Sequence, residues 1–393
     1  MNEQERLSLL NFDKIIIFLF VIFLLMLSGE AEQFLARLDL KGIYLLLLSF
    51  GIAYVCTPLA HLVAHRVGLV DVPQGRKAHR VPTALLGGVA IYAAFAITVL
   101  RSYQFSDELK GVALAGTLIF IVGLLDDRRE LPAKLKLLAQ VAAVGILVRY
   151  GVVISFLPPT VWGDIGEWLL TGFWIIGITN AVNFLDGMDG LAAGICGIMS
   201  AFFGMVALQN NQTYMVYLAL PLVGACCGFL PYNFRRNRPA AIFLGDAGST
   251  FLGFMVAALA VMGNWGGDHT VRLIVPVIIL GVPIFDMTFT TVMRIRHRQV
   301  RAFREWIEFT GRDHIHHRLE DLRLGRSRAV IVIYIVTIWL GLSAMALKNA
   351  AGINALLQVA QSVIVFLLMA FFMVFIKGKY LELERHIHDA NGT

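Results

Sequence analysis

Long apolar segments, separated by short polar connections, follow one another along the whole chain. A helix needs about 20 residues to cross the hydrocarbon core of a bilayer, and twelve segments approach or exceed this length. The pattern predicts an all-α polytopic integral membrane protein with about 11 to 12 transmembrane helices. The twelve candidate spans are 14–29, 42–65, 83–100, 110–125, 134–151, 168–180, 191–208, 214–232, 249–263, 271–292, 328–347 and 352–376.

Composition supports the membrane interpretation. Hydrophobic residues make up 58% of the 393 residues and charged residues only 15%, with a mean hydropathy of +0.73. These values are too apolar for a water-soluble fold and exclude a disordered chain. The four cysteines lie in apolar runs without a C-x-x-C pair, so we expect small buried side chains, not metal ligands or disulfides.

The chain divides into three parts. Residues 1–40 form an N-terminal tail with an extra helix at 14–29, whose crossing of the membrane is left open. The acidic residues before that helix argue against a secretory signal peptide, which has a basic N-terminal region. Residues 41–347 form the main membrane domain, which includes a polar loop at 293–327. Residues 348–393 supply the last helix and a tail.

Lysine and arginine concentrate on one side of the predicted membrane domain. If successive helices alternate in direction, 26 of the 33 Lys and Arg residues fall on the same side, which the positive-inside rule makes cytoplasmic. Membrane orientation therefore explains the net charge of +6, and no nucleic-acid-binding module is recognisable. The basic side would attract an anionic substrate. The start of the loop at 294–328 suits either an interfacial helix or a substrate-binding role.

Carboxylates at the predicted cytoplasmic helix ends are informative because charge is costly near hydrocarbon. Asp126 and Asp127 are adjacent and repel each other unless a cation or proton lies between them, although neighbouring arginines also explain them. Asn183, Asp186 and Asp189 would share one face of a helix, whereas two Asp-Gly steps equally favour turns. Their connection has no Lys or Arg, which favours a divalent cation or a bound ligand as the partner.

Further candidates lie in three other segments. The segment 243–250, FLGDAGST, opens an apolar helix whose N-terminus would favour an anion, but capping by Asp246 or Ser249 explains it equally well. Asp286 is interpreted as a buried pairing residue within the tenth span. Lys77 lies in a basic loop after the second span. A segment in the long loop contains His314, His316 and His317, which suit a metal, a phosphate or a solvated loop.

Together these groups place acids, histidines and lysine on one face of a membrane bundle. This combination is typical of metal-assisted phosphoryl transfer between a water-soluble diphosphate and a partner in the lipid. Hard oxygen ligands favour Mg²⁺, or alternatively Mn²⁺, over zinc. An intramembrane prenyltransferase and a transporter are the alternatives, although transporter sites usually lie near the middle of the bilayer.

Four strings carry a resemblance to a known family. They are GxxDDR at 123–128, NAVNFLDGMDGLAAG at 180–194, FLGDAGS at 243–249 and RDHIHHRL at 312–319. They resemble the polyprenyl-phosphate N-acetylhexosamine-1-phosphate transferases, and the motifs extend from Lys77 to Leu319 in family order. The resemblance implies transfer of a sugar 1-phosphate from a UDP-N-acetylhexosamine to a polyprenyl phosphate, usually undecaprenyl phosphate, with release of UMP and a requirement for Mg²⁺.

The resemblance also implies the setting of the reaction. The HIHH form resembles the N-acetylglucosaminyl branch, so UDP-N-acetylglucosamine is the expected donor. The muramoyl-pentapeptide branch, with three consecutive histidines, is the alternative. The expected location is the bacterial inner (cytoplasmic) membrane, with the active site facing the cytoplasm. The expected reaction is the first membrane step in the synthesis of a cell-envelope polysaccharide. The expected partners are the donor, undecaprenyl phosphate and the bilayer, and not nucleic acid, while a homodimer is left open.

Residue roles follow from the resemblance by matching position. The implied catalytic residues are Asp126, Asp127 and Lys77. The two acids would contact the acceptor or the metal, and the lysine would contact the phosphates. The implied metal ligands are Asp246, Asp126 and Asp186. The implied substrate-binding residues are Asn183, Asp186, Asp189, His314, His316 and His317, with Asn233 and Asn237 as weaker nucleotide candidates. A single in-line step and a double displacement through an aspartyl-phosphate both remain open.

Overall fold

The structure is a computed structural model that describes residues 23, 25–72, 82–102, 106–235, 238–267, 269–300, 311, 313–321, 325–348, 350, 352–371 and 373–374. It is a bundle of α-helices with one small antiparallel sheet. The helices are α1 (Gly29–Arg37), α2 (Lys41–Val67), α3 (Gly87–Ser102), α4 (Asp107–Arg128), α5 (Ala133–Arg149), α6 (Val161–Leu185), α7 (Leu191–Gln209), α8 (Thr213–Asn233), α9 (Gly245–Met262), α10 (His269–Ile279), α11 (Gly281–Arg296), α12 (Ile315–Asp321), α13 (Arg326–Lys348) and α14 (Ile353–Phe371), and the strands are β1 (Val70–Asp71) and β2 (Thr83–Ala84).

The predicted all-α membrane architecture is confirmed. Within the described ranges, eight helices are long and apolar enough to cross a membrane, and α10 and α11 together pass as a ninth span. The shorter helices α3 and α5 occupy two further predicted spans. Each predicted span from residue 42 onward therefore contains a helix or a helix pair, while the span at 14–29 lies largely outside the described residues.

One predicted span is not a single helix. The segment predicted as continuous over 271–292 is broken at Leu280 into α10 and α11, which are bent by 78° relative to each other. Proline at 276 and at 283 lies on either side of the break, where the missing N–H groups weaken the helical hydrogen-bond ladder. The bend turns α11 away from the direction of α10.

The helix α9 is the central element of the bundle. Most of its residues are buried, and it packs against α3, α4 and α6. Glycine permits the close approach to α4, because a Cβ atom on Gly123 would lie 2.6 Å from the Cα atom of Ala247. The C-terminal end of α4 therefore meets the N-terminal end of α9.

Residues 82–88 form a short strap that pairs with residues 242–244, just before the N-terminus of α9. Ala84 of β2 forms a parallel bridge with Ile242, and the Phe243 amide donates to the Ala84 carbonyl at 2.8 Å. β1 and β2 also pair with each other and form the two stems of the connection at 73–81. Lys77 lies in this connection, outside the described residues, but both stems are fixed beside α9.

The connection between α6 and α7 resolves the alternatives that its sequence left open. Asn183 is in the last turn of α6, and the helix ends with Asp186 as its C-cap. Gly190 has φ of 81°, a left-handed conformation that glycine adopts at little cost, and α7 begins directly after it. The three predicted oxygen-bearing side chains are thus divided between a helix end and a turn.

Substitution of Gly123 tests the contact between α4 and α9. We expect Gly123→Ala to lower the free energy of unfolding by about 1–3 kcal/mol, because backbone atoms of α9 leave no space for the added methyl group. The measurement is thermal unfolding in detergent. Gly145→Ala in α5 is the matched control, because no atom lies within 4 Å of its Cβ position. Equal unfolding temperatures for the two variants would contradict this packing.

Candidate active site

Asp127 caps the N-terminus of α9. Its Oδ1 atom accepts a hydrogen bond from the Asp246 amide at 2.7 Å, and its Oδ2 atom accepts one from the Ala247 amide at 3.0 Å. Gly245, with φ of 74°, makes the contact possible, since a Cβ atom there would lie 2.7 Å from Asp127 Oδ2. Amide groups in the first helical turn otherwise lack partners, so this carboxylate stabilises the helix end.

This cap corrects the sequence interpretation of the segment 243–250. The helix N-terminus was predicted to favour an anion, but its Asp246 and Ala247 amides both donate to the Asp127 carboxylate. The alternative of simple capping by Asp246 or Ser249 is also replaced, because the capping side chain comes from α4. A capping residue so distant in sequence leaves no local pattern. These two amides are therefore not free to bind an anion.

Asp126 and Asp246 lie side by side with Lys136 between them. Asp126 is only 7% exposed, and its Oδ1 atom accepts from the Leu131 amide at 2.7 Å. Its other oxygen forms an ion pair with the Lys136 ammonium, which also lies 3.4 Å from Asp246 Oδ2. Lys136 is not among the predicted site residues, because in the sequence it is only one of the many basic residues on this side of the membrane domain. Its position in the first turn of an apolar helix was the available signal.

Asn183 orients the Asp246 carboxylate. The Asn183 Nδ2 group donates to Asp246 Oδ1 at 2.9 Å and to Ser249 Oγ at 2.8 Å. The Ser249 hydroxyl in turn donates to the Gly245 carbonyl at 2.9 Å. Three of the strings identified in the sequence, at 123–128, 180–194 and 243–249, therefore meet at one point.

The electrostatics of the site are strongly negative. Burial raises the pKa of Asp186 well above its usual value, and the charges of Asp246, Asp127 and Asp189 raise it further. Asp126 adds another carboxylate within hydrogen-bonding reach of Asp246. Lys136 supplies one positive charge against these acids. Such a group favours the uptake of a proton or of a divalent cation.

The donor set fits Mg²⁺ bound together with a substrate. Within the described residues, no three His, Cys, Asp or Glu side chains are already arranged as a metal site. Mg²⁺ in enzymes is commonly held by one or two carboxylates and by substrate phosphates, not by a cage of protein ligands. Asp126 and Asp246 are such a pair, since their oxygens already share the Lys136 ammonium.

The histidine segment contacts the connection after α6. The His316 ring packs directly on Gly187, where a Cβ atom would lie 2.2 Å from His316 Nε2. His314 stacks on Phe184 with 5.2 Å between ring centroids and 24° between ring planes. A Cβ atom at position 187 would therefore displace the His316 ring. The fourth string, at 312–319, thus joins the other three.

Asp189 and Asn233 connect two loops. Asp189 Oδ2 accepts from the Ala240 amide at 3.0 Å. Asn233 accepts from the Gly190 amide at 2.7 Å and donates to the Ile242 carbonyl at 2.8 Å. Because Asn233 is 5% exposed and uses both ends of its amide, the structure places it as a link beneath the site. Asn237, the other nucleotide candidate, lies outside the described residues.

Comparison with known proteins places this site in a family. The family model described as glycosyl transferase family 4 matches residues 109–264. This range includes Asp126, Lys136, Asn183, Asp186 and Asp246.

Three relatives cover most of the chain. A probable undecaprenyl-phosphate N-acetylglucosaminyl 1-phosphate transferase of Bacillus subtilis (strain 168) is 35% identical over 302 residues, which are 75% of this chain and 82% of that protein. The undecaprenyl-phosphate alpha-N-acetylglucosaminyl 1-phosphate transferase of Escherichia coli (strain K12) is 31% identical over 70% of this chain and 75% of its own length. A decaprenyl-phosphate N-acetylglucosaminephosphotransferase of Mycobacterium tuberculosis (strain H37Rv) is 32% identical over 77% and 81%.

The fold and the site define a multi-pass membrane enzyme of the transferase class. The chain belongs to glycosyl transferase family 4, among the polyprenyl-phosphate N-acetylhexosamine-1-phosphate transferases. The resemblance drawn from the sequence motifs is thereby confirmed.

The capping function of Asp127 can be separated from the charge of Asp246. We expect Asp127→Asn to lower the free energy of unfolding by about 1 kcal/mol or more, because an amide accepts only at its oxygen and leaves one α9 amide without a partner. Asp246→Asn removes a charge from a crowded group and should leave stability unchanged or higher. Thermal unfolding in detergent with EDTA measures both. A larger loss for Asp246→Asn than for Asp127→Asn would contradict the assignment.

Proposed function

We propose that the protein transfers N-acetylhexosamine 1-phosphate, specifically GlcNAc 1-phosphate, from a UDP-sugar to undecaprenyl phosphate. The products are undecaprenyl-diphospho-GlcNAc and UMP. The observation that carries this proposal is the convergence of carboxylates at the end of a membrane bundle: Asp126 and Asp246 share Lys136, and Asp186 lies close enough to Asp246 for the two charges to interact. The relatives from Bacillus subtilis and Escherichia coli, whose names give this acceptor and this sugar, support the choice of substrates.

The carboxylates fit one divalent cation. Asp246 and Asp126 would hold Mg²⁺, with Asp186 as a third candidate ligand, and Mn²⁺ is the alternative ion. When bound, the ion neutralises the negative charge that collects on the donor phosphates during transfer. Asn183 keeps one Asp246 oxygen in a fixed direction through its 2.9 Å hydrogen bond. Fixed ligands reduce the reorganisation that the reaction requires.

Cationic side chains hold the remaining phosphate oxygens. Lys136 is already within the site and would exchange its carboxylate partners for phosphate oxygens when the donor binds. Lys77 is the second candidate, because the stems of its loop are attached beside the N-terminus of α9. The amides of Asp246 and Ala247 are not available for this purpose, since Asp127 accepts from both.

The chemical step is a single in-line displacement. An oxygen of undecaprenyl phosphate forms a bond to the sugar-proximal phosphorus, and the bond from that phosphorus to the bridging oxygen breaks, with its electrons leaving on UMP. Of the adjacent acids, Asp126 is the one that would contact the metal or the acceptor, because its Lys136 partner would exchange on donor binding whereas both oxygens of Asp127 are committed to α9. Phosphate label retained on the protein when donor is supplied without acceptor would contradict a single step.

The proposed location is the bacterial inner membrane with the site facing the cytoplasm. The connections that meet at the site belong to the side where 26 of the 33 Lys and Arg residues were counted, and such residues are retained on the cytoplasmic side. The relatives named above are bacterial proteins. UDP-sugars would reach the site from water, and the acceptor would reach it from the bilayer. The pairing of two copies stays a prediction.

Release of UMP by purified protein tests the proposed function. We expect turnover to require undecaprenyl phosphate and UDP-GlcNAc, to stop with EDTA and to return with excess Mg²⁺. Asp246→Asn should reduce kcat by about 100-fold or more, because it removes a carboxylate that would hold the cation, and the cation would neutralise the negative charge that develops on the phosphates. Asp107→Asn is the matched control, since Asp107 is an exposed acid at the other end of α4.

Two outcomes would contradict this function. Full turnover by Asp246→Asn would show that the Asp246 carboxylate is not needed for the reaction. UMP release at the same rate with and without the lipid acceptor would indicate hydrolysis of the nucleotide sugar and not transfer. A panel of UDP-sugars in the same assay tests the choice of GlcNAc, and a higher kcat/KM for another sugar would correct it.

A further inference from the structure

Two buried charges on α11 lie outside the carboxylate group described above. Asp286 is 1% exposed and Arg294 is 4% exposed. Charges buried in this way are costly unless they are paired and hydrogen-bonded. Both find their partners in one short segment, residues 313–315, at the start of the histidine string.

Asp286 holds this segment by two hydrogen bonds. One carboxylate oxygen lies 2.6 Å from His314 Nδ1, and the other accepts from the Ile315 amide at 2.6 Å. A carboxylate at this distance requires a hydrogen on Nδ1. The two bonds together fix both the start of α12 and the orientation of the His314 ring.

Arg294 holds the same segment from the other side. Its Nε and terminal nitrogen donate to the two oxygens of Asp313 at 2.7 and 2.8 Å, a bidentate pair. The terminal nitrogen also lies 3.4 Å from His314 Nε2. Because guanidinium only donates, Nε2 faces it as an acceptor. Burial acts to raise the pKa of Asp313, but the bonds and charge of Arg294 hold that pKa below its usual value.

These contacts surround His314 with protein. Nδ1 faces Asp286, Nε2 faces Arg294, one ring face stacks on Phe184, and the residue is 5% exposed. A side chain in this environment cannot reach a diphosphate through either nitrogen. Its neighbour His316 is also buried, at 1% exposed, but it packs on Gly187 in the acidic connection next to Asp186.

We infer that His314 is a positioning residue and not a ligand of the sugar-diphosphate. With Asp286, Arg294 and Asp313 it forms a clasp that ties the histidine segment to the end of α11. The clasp acts on the reaction through His316, whose ring it sets against the connection that contains Asp186. This assignment rests on the proposed function for its kinetic readout, and it replaces the substrate-binding role that the sequence resemblance implied for His314.

Two amide substitutions separate the clasp from substrate contact. The amide nitrogen of Asn falls near the place of Nδ1 and can donate to Asp286, whereas the longer Gln amide reaches the place of Nε2. If the clasp operates, His314→Asn retains more activity and a higher unfolding temperature than His314→Gln. His314→Gln should lose about 100-fold in kcat, the cost expected for misplaced catalytic groups, with a smaller change in the donor KM.

The reverse ranking would overturn the inference. If His314→Gln is the more active variant, or if His314→Asn raises the donor KM while kcat is retained, His314 contacts the donor through Nε2. Lower unfolding temperatures for both variants with equal kcat values would indicate a structural role alone, which would also overturn the inference.

A measurement on the unsubstituted protein covers the case in which neither variant folds. Diethyl pyrocarbonate acylates accessible neutral imidazoles, and mass spectrometry locates the products. We expect His65, which is exposed on α2, to react readily and His314 to stay unmodified both with and without UDP-GlcNAc. Acylation of His314 at the rate of His65, with protection by UDP-GlcNAc, would overturn the inference.

The proposed function and the clasp can fail separately. Absence of UMP formation by the unsubstituted protein would contradict the proposed function alone. Protection of His314 from acylation, and the higher unfolding temperature of His314→Asn over His314→Gln, require no substrate and would still support the clasp.

Discussion

Repulsion among carboxylates around the N-terminus of α9 is the constraint on which the rest of the site depends. Asp126 and Asp186 both lie close enough to Asp246 for their charges to interact, at the end of a membrane bundle. Two helix amides stabilise the negative charge of Asp127, and Lys136 partly neutralises the charges of Asp126 and Asp246. The remaining negative charge is the basis for the proposal that a divalent cation binds here together with an anionic substrate.

The fold maintains this arrangement by fixing each contributing segment from outside. Glycine at 123 lets α4 approach α9 closely, so the acidic pair reaches the helix end. The strap from 82–88 holds the segment at 242–244, and Asn233 ties it to the connection after α6. The 78° bend between α10 and α11 brings in the histidine segment through Asp286 and Arg294. Rigid support of this kind is what preorganised catalysis requires.

The sequence predicted the membrane class, most of the spans and the four motif segments, because hydropathy and clustered acids are local signals. It could not predict contacts between distant positions. Asp127 as the cap of α9, Lys136 between two carboxylates and Asn233 as a buried link each depend on side chains that only the packed bundle brings together. The break at Leu280 was also missed, since apolar character continues through it.

Direct titration with Mn²⁺ tests the central claim, that these carboxylates form one divalent-cation site. The electron paramagnetic resonance signal of free Mn²⁺ diminishes on binding, so occupancy can be counted in detergent with UDP-GlcNAc present and the lipid acceptor left out, which prevents turnover. The same UDP-GlcNAc concentration without protein gives the baseline. The account predicts a site that Mg²⁺ competes for, that is lost in Asp246→Asn and weakened in Asp126→Asn, and that persists in Asp107→Asn. Unchanged Mn²⁺ binding by Asp246→Asn would contradict it.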